Sequence, residues 1–128
     1  MNIFNSLSRK LEEFKPLNDK KVTIYVCGIT PYDTTHLGHA FTYISFDALI
    51  RYLNFKGFQV LYTQNVTDVD DSILEKAQQI GQNWKQLGDF WTDKFLKDTA
   101  NLNLLRPTNF VKATDSIING LDLQPKPS

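Results

Sequence analysis

The only cysteine, Cys27, and the only two histidines, His36 and His39, fall within one short run, Tyr25 to His39. Imidazoles can donate to charge that develops on a phosphate, and a thiolate is a soft metal ligand. The order of residues predicts how these groups are presented. Tyr25-Val26-Cys27 reads as the end of a strand, Gly28-Ile29-Thr30 as a turn, and Leu37 onward as a helix. Strand, glycine-containing turn and helix N-terminus together leave backbone N–H groups aimed at an anion. His36 and His39, three apart at the start of the helix, project over one face. Gly38 between them lets a ligand approach the backbone.

Plainer roles exist for the same residues. One histidine can cap or pack locally while the other is solvated. Cys27 can be a small buried hydrophobe. Zinc needs four ligands, or three and a substrate, and no Cys-x-x-Cys or His-x-x-x-His pair supplies them. Recruiting His36 and His39 to a metal would take them from the phosphate. Asp68, Asp70 and Asp71 could hold a divalent cation, but capping the next helix is the favoured role. Trp84, Phe90, Trp91 and Phe95 recur at helical spacing and are expected in the core, while Arg9-Lys10 and Lys20-Lys21 are expected on the solvated surface.

The elements that must hold these residues follow from the apolar pattern. Val22–Cys27 is β-rich, as a buried parallel strand would be. Thr34 or Thr35 is expected to cap the following helix. Its apolar residues are Leu37, Ala40, Phe41, Ile44, Ala48, Leu49, Tyr52 and Leu53, and Gly57 ends it. Phe58–Asn65 reads as a second strand and 66–71 as a strand-end loop. Helices are expected over Ser72–Ile80, closed by Gly81, over Trp84 to about Leu102, and over Thr108–Ile118. Residues 1–20 read as an extended lead-in, 21–121 as a partial nucleotide-binding domain and 122–128 as a frayed tail. Alternating strands and helices predict an α/β fold, a parallel sheet with right-handed crossovers and flanking helices. Ligands of such sheets bind at the carboxyl ends of strands, where Cys27 and Asn65–Thr67 fall. Two strands can be counted, half of a nucleotide-binding fold with an open sheet edge.

The 128 residues suffice for one domain with a core. Fourteen basic and fourteen acidic residues balance, so no basic field advertises nucleic acid, although a longer protein could hold one elsewhere. A single cysteine suits a reducing compartment. No stretch approaches the roughly 20 apolar residues of a membrane span, and the N-terminus lacks a secretory hydrophobic region. A cytoplasmic location and no membrane partner are expected.

Four blocks, in order, resemble the cysteinyl-tRNA synthetases of the class I aminoacyl-tRNA synthetase family. Tyr25-Val26-Cys27-Gly28-Ile29-Thr30 with Tyr32-Asp33 and His36-Leu37-Gly38-His39 is similar to that family's N-terminal signature, including its His-x-Gly-His motif. Asn65-Val66-Thr67-Asp68-Val69-Asp70-Asp71 resembles its second block. Phe4-Asn5-Ser6-Leu7 with Glu12-Glu13-Phe14-Lys15-Pro16, and Leu102-Asn103-Leu104-Leu105-Arg106-Pro107, resemble its flanking segments. The resemblance implies the N-terminal half of a Rossmann-like catalytic domain serving protein biosynthesis. Cysteine would be activated by ATP, with Mg²⁺, to cysteinyl-adenylate and passed to a tRNA specific for cysteine.

It also implies roles for residues. Cys27 would be a zinc ligand at the amino-acid site, where a zinc–thiolate bond separates cysteine from serine. Thr30 and Thr67 would contact the aminoacyl group with Gly28 close by, Ile29 would bind the substrate or adenylate, and Thr42, Asn65 and Val66 would line the adenylate pocket. His36 and His39 would stabilise the activation transition state. The family's other zinc ligands (a cysteine, a histidine and a glutamate) and its Lys-Met-Ser-Lys-Ser loop have no counterpart in this sequence. The chain alone is therefore expected not to be a competent synthetase, and to pair with a C-terminal half.

Phe41 stands where the family usually has arginine, which removes a cation near the phosphates. Thr30-Pro31-Tyr32-Asp33 and His36 to Ala40 also resemble the cysteine:glucosaminyl-inositol ligase of mycothiol biosynthesis, which passes activated cysteine to an amino sugar. That ligase, a non-catalytic ATP-binding half-domain and one subunit of a split enzyme are the competing readings.

Overall fold

The computed structural model describes residues 1–116. It opens with an antiparallel hairpin of β1 (Asn2–Asn5) and β2 (Lys10–Glu13), with Phe4 opposite Leu11, in place of a plain extended lead-in. The turn is organised by Asn5. Its side-chain oxygen accepts from Leu7 N at 2.9 Å and its carbonyl from Arg9 N at 2.7 Å, so an asparagine substitutes for backbone in a tight loop.

Three parallel strands follow, β3 (Lys21–Val26), β4 (Gln59–Val66) and β5 (Asn109–Lys112), in the order β3-β4-β5. The crossover between β3 and β4 is α1 (Leu37–Phe55); that between β4 and β5 contains α2 (Asp71–Ile80) and α3 (Trp84–Asn101). The expected α/β class is thus present. The third strand corrects the helix expected from Thr108. Asn109–Lys112 pairs with Thr63–Val66, and only 113–116 turn helically. A four-residue strand is too short to show a period, so its neighbour in the sheet decides its conformation. Residues 117–118 of that expected helix, and the expected tail over 122–128, lie outside the described residues.

Strand alternation shows which face is filled. Val22, Ile24 and Val26 on β3 and Val60, Tyr62 and Val66 on β4 point to one side, where Tyr43, Phe46 and Ile50 of α1 and Phe95 and Leu96 of α3 meet them. Both crossovers therefore lie on one face. The residues between them face the other way, with Thr23, Tyr25 and Leu61 exposed. A second cluster joins α2 to α3 through Ile73, Ala77 and Leu87, with Trp84 and Trp91 packed on it. Phe90, expected in the core, is instead 60% exposed.

The α1 helix departs from expectation more sharply, because it carries two apolar stripes. Tyr43, Ile50 and Leu53 are buried, whereas Leu37, Phe41, Ile44 and Tyr52, which recur at helical spacing in the sequence, stay exposed. Both stripes have helical spacing, and only the position of the sheet decides between them. Gly57 and Gly81 follow α1 and α2 with positive φ, as expected.

Candidate active site

Cys27 leaves the end of β3 with its thiol exposed. Its carbonyl is held from below by Tyr43, whose hydroxyl donates to it at 3.4 Å. The next residue must be glycine. A Cβ on Gly28 would lie 1.5 Å from the Asn65 carbonyl oxygen, so the β3 turn is pressed against the end of β4. Three hydrogen bonds stitch the two ends. Gly28 N donates to Asn65 Oδ1 at 2.9 Å, Thr67 N to the Ile29 carbonyl at 3.0 Å, and Asn65 Nδ2 to Thr67 Oγ1 at 3.4 Å. Cys27, Gly28, Ile29, Asn65 and Thr67 are thereby brought together from opposite ends of a crossover.

Helix α1 begins with a cap that neither threonine provides. His36 is the N-cap residue and its Nδ1 accepts from Gly38 N at 3.0 Å. His36 N in turn donates to Nδ1 of His39 at 3.3 Å. This is a capping box with imidazoles in place of the usual hydroxyl and carboxylate. The rings stack at 4.0 Å between centroids, 25° from parallel. Gly38 makes room for this, since a Cβ there would lie 2.9 Å from Cε1 of His36. With both Nδ1 atoms accepting, the neutral rings carry their protons on Nε2. Partial burial, and next the charge of His36, hold the His39 pKa below its ordinary value.

Both rings line an open cleft of about 340 Å³ with Gly28, Ile29, Thr30 and Thr35. The cleft lies at the carboxyl end of β3, where an α/β sheet takes its ligands. It contains Nε2–H donors on two imidazoles and the hydroxyl of Thr30, a set suited to phosphate oxygens or a carboxylate. Thr42 is one turn further along α1, exposed, and its hydroxyl donates to the Gly38 carbonyl at 3.1 Å. Val66 buries its side chain completely in the core, leaving only its backbone at the strand end. Phe41 is 75% exposed.

Two residues at the site carry roles the sequence reading did not assign. Tyr43 stands one helical turn beyond His39, a spacing that places it on the same face. Asp68, grouped with the helix caps, is 7% exposed and accepts from Thr114 N at 3.0 Å and Thr114 Oγ1 at 2.6 Å. It thus anchors the turn after β5. Asp70 caps α2 as expected, accepting from Ser72 N at 2.8 Å.

As a zinc site the described residues contribute one donor. Cys27 is accessible and of the right softness, but no group of three or more His, Cys, Asp or Glu side chains that could hold a metal occurs among the described residues. The two imidazoles nearest in sequence are occupied at the helix cap. No described helix is long and apolar enough to cross a membrane.

The cysteine–tRNA ligase of Thermodesulfovibrio yellowstonii is 45% identical to this chain over 117 residues, 91% of the chain and 24% of that protein. That of Erwinia tasmaniensis is 43% identical over 126 residues, 98% of the chain and 27% of that protein. The L-cysteine:1D-myo-inositol 2-amino-2-deoxy-alpha-D-glucopyranoside ligase of Micrococcus luteus is 52% identical over 103 residues, 80% of the chain and 24% of that protein. The chain spans about a quarter of the length of these curated relatives. The family model described as tRNA synthetases class I (C) catalytic domain matches residues 13–124. That match takes in the stitched strand ends and the histidine-capped helix alike, and the chain belongs to this family.

Proposed function

We propose that this chain is the N-terminal part of the catalytic domain of a cytoplasmic cysteine–tRNA ligase. The observation that carries the reading is the cleft shared by the β3 turn and the two imidazoles whose Nδ1 atoms cap α1. Because those atoms are engaged, each ring offers its Nε2–H outward at the helix N-terminus. In the first step the carboxylate of cysteine attacks the α-phosphate of ATP, brought with its Mg²⁺, and pyrophosphate leaves. His36 and His39 donate to the phosphate oxygens as their negative charge grows, from positions that need no rearrangement. Gly28, Ile29 and Thr30 seat the aminoacyl part against Asn65 and Thr67; Val66 offers backbone, and Thr42 extends the adenylate wall along α1. In the second step a tRNA 3′-terminal hydroxyl takes the cysteinyl group.

Cys27 would hold zinc together with ligands from outside the described residues. Bound there, zinc would take the substrate thiolate as a ligand and so reject a hydroxyl.

The rest of such a protein has surfaces to dock on. Strand β3 has one paired edge among the described residues, the second apolar stripe of α1 is exposed, and parallel sheets are ordinarily covered on both faces. A C-terminal half supplying the missing ligands and a catalytic lysine would cover them.

The test is a chimera in which residues 1–116 replace the matching part of a full-length cysteine–tRNA ligase. Cysteine-dependent ATP–pyrophosphate exchange supports the reading, and no exchange sinks the assignment. The sugar ligase is the second reading, favoured by the 52% identity to the Micrococcus luteus enzyme. It predicts that the protein from which this chain comes transfers activated cysteine to the glucosaminyl-inositol amine rather than to tRNA.

A further inference from the structure

Directly beneath Cys27 the core contains a cluster of polar groups that no apolar packing explains: Tyr43 and Asp47 of α1, and Tyr62 and Gln64 of β4. Counting donors and acceptors shows where it is incomplete. The Tyr43 hydroxyl donates to the Cys27 carbonyl, and the Tyr62 hydroxyl donates to Gln64 Oε1 at 3.2 Å. Asp47 accepts from Leu105 N through Oδ1 and from Arg51 Nε through Oδ2, both at 2.7 Å. Every donor hydrogen in the cluster is then used except the two on Gln64 Nε2, which has no hydrogen-bond partner among the described residues although Gln64 is 3% exposed. Unused lone pairs remain on both tyrosine oxygens and on the Asp47 carboxylate. An amide N–H₂ left bare at such depth costs about 1–3 kcal/mol.

The same residues line a cavity of about 30 Å³, bounded on its far side by Thr99, Leu104 and Leu105. That volume accommodates a water molecule, and a polar wall with several partners is what keeps such a molecule in place. Thr92 offers a contrast. Its hydroxyl is equally buried and unpartnered, yet it does not line this cavity.

We propose that this cavity is a binding site for a resident water, which accepts from Gln64 Nε2 and donates to the Asp47 carboxylate and to a tyrosine oxygen. It closes a polar layer running from Asp47 through Gln64 to Tyr43, and so to the backbone of Cys27. The burial that encloses the layer also drives the Tyr62 pKa up to about 12, which keeps that hydroxyl a donor at any ordinary pH.

Two measurements on the chain as it stands test this. A crystal structure that resolves ordered solvent is expected to show one water within hydrogen-bond distance of Gln64 Nε2 and of Asp47 or a tyrosine hydroxyl. Water-selective NMR is expected to give exchange-independent cross-peaks between water and the Gln64 side-chain amide, assigned by their loss in Gln64→Met. An empty cavity, or an amide whose Nε2 donates directly to the Tyr43 or Tyr62 oxygen with no water cross-peak, overturns the proposal. The wild-type measurements decide it even where the variant fails to fold.

Discussion

His36 and His39 lie face to face, 4.0 Å between ring centroids, and each spends its Nδ1 on a backbone N–H of the same helical turn. The pair is at once the cap of α1 and the lining of the cleft. A proton added to either Nδ1 destroys a cap acceptor and sets a positive charge against its neighbour and the positive end of the helix dipole.

That arrangement predicts a pH dependence. The His39 pKa is held below its ordinary value of 6.5 by burial and then by His36, so the folded state binds this proton less tightly than the unfolded chain. The contribution of His39 to stability is full above that ordinary value and is lost as pH falls through the lowered one. Imidazole ¹⁵N spectra are expected to show bare Nδ1 on both rings at neutral pH and a His39 midpoint below 6.5. A midpoint above that value would show that burial and the neighbouring His36 do not hold the ring neutral as described.

Gly28→Ala forces a methyl group into the Asn65 carbonyl, 1.5 Å away in the present geometry. Since the obstacle is backbone, the strand ends must part, at a cost of about 3 kcal/mol. Urea unfolding reads the loss. A change of under a few tenths would mean that the β3 turn is not clamped as described.

Asp68→Ala leaves Thr114 N and its hydroxyl without the acceptor they share. A decrease of about 1–3 kcal/mol is expected. Asp68→Asn, which keeps one acceptor, should fall between. Equal stability of all three proteins would show that Asp68 does not anchor the segment after β5.

Phe41 is exposed two residues beyond His39 on α1. In the chimera used to test function, Phe41→Arg is expected to raise the rate of pyrophosphate exchange roughly tenfold, as an added cation meets charge developing on phosphate. An unchanged rate would place that position away from the phosphates.

Much of this was legible in the residues because the information is local. Gly81 after Ile80, Asp70 before Asp71, and the alternation in Lys21–Val26 each state their structure within a few positions. The parts that were not legible depend on residues far away. Asn109–Lys112 is a strand because β4 pairs with it, and Asp68 leaves the helix-cap group because Thr114 arrives from 46 residues later. The two stripes of α1 are the clearest case, since only the position of the sheet chooses Tyr43 and Ile50 over Phe41 and Ile44. At the candidate site the residue types were readable, but the caps were assigned to Thr34 or Thr35 because imidazole is an uncommon cap acceptor.

Strand β4 is bonded on both sides while β3 and β5 each have one paired edge among the described residues. In a protein that opens piecemeal, amide protons at the centre of such a ladder exchange with solvent last. Asn65 and Thr67 ride on the end of that strand, so the strand end to which the β3 turn is stitched keeps its shape through the openings that let β3 fray. The β3 turn, which follows Cys27 and lines the cleft from Gly28 to Thr30, is the side able to yield, tethered to a rigid strand end.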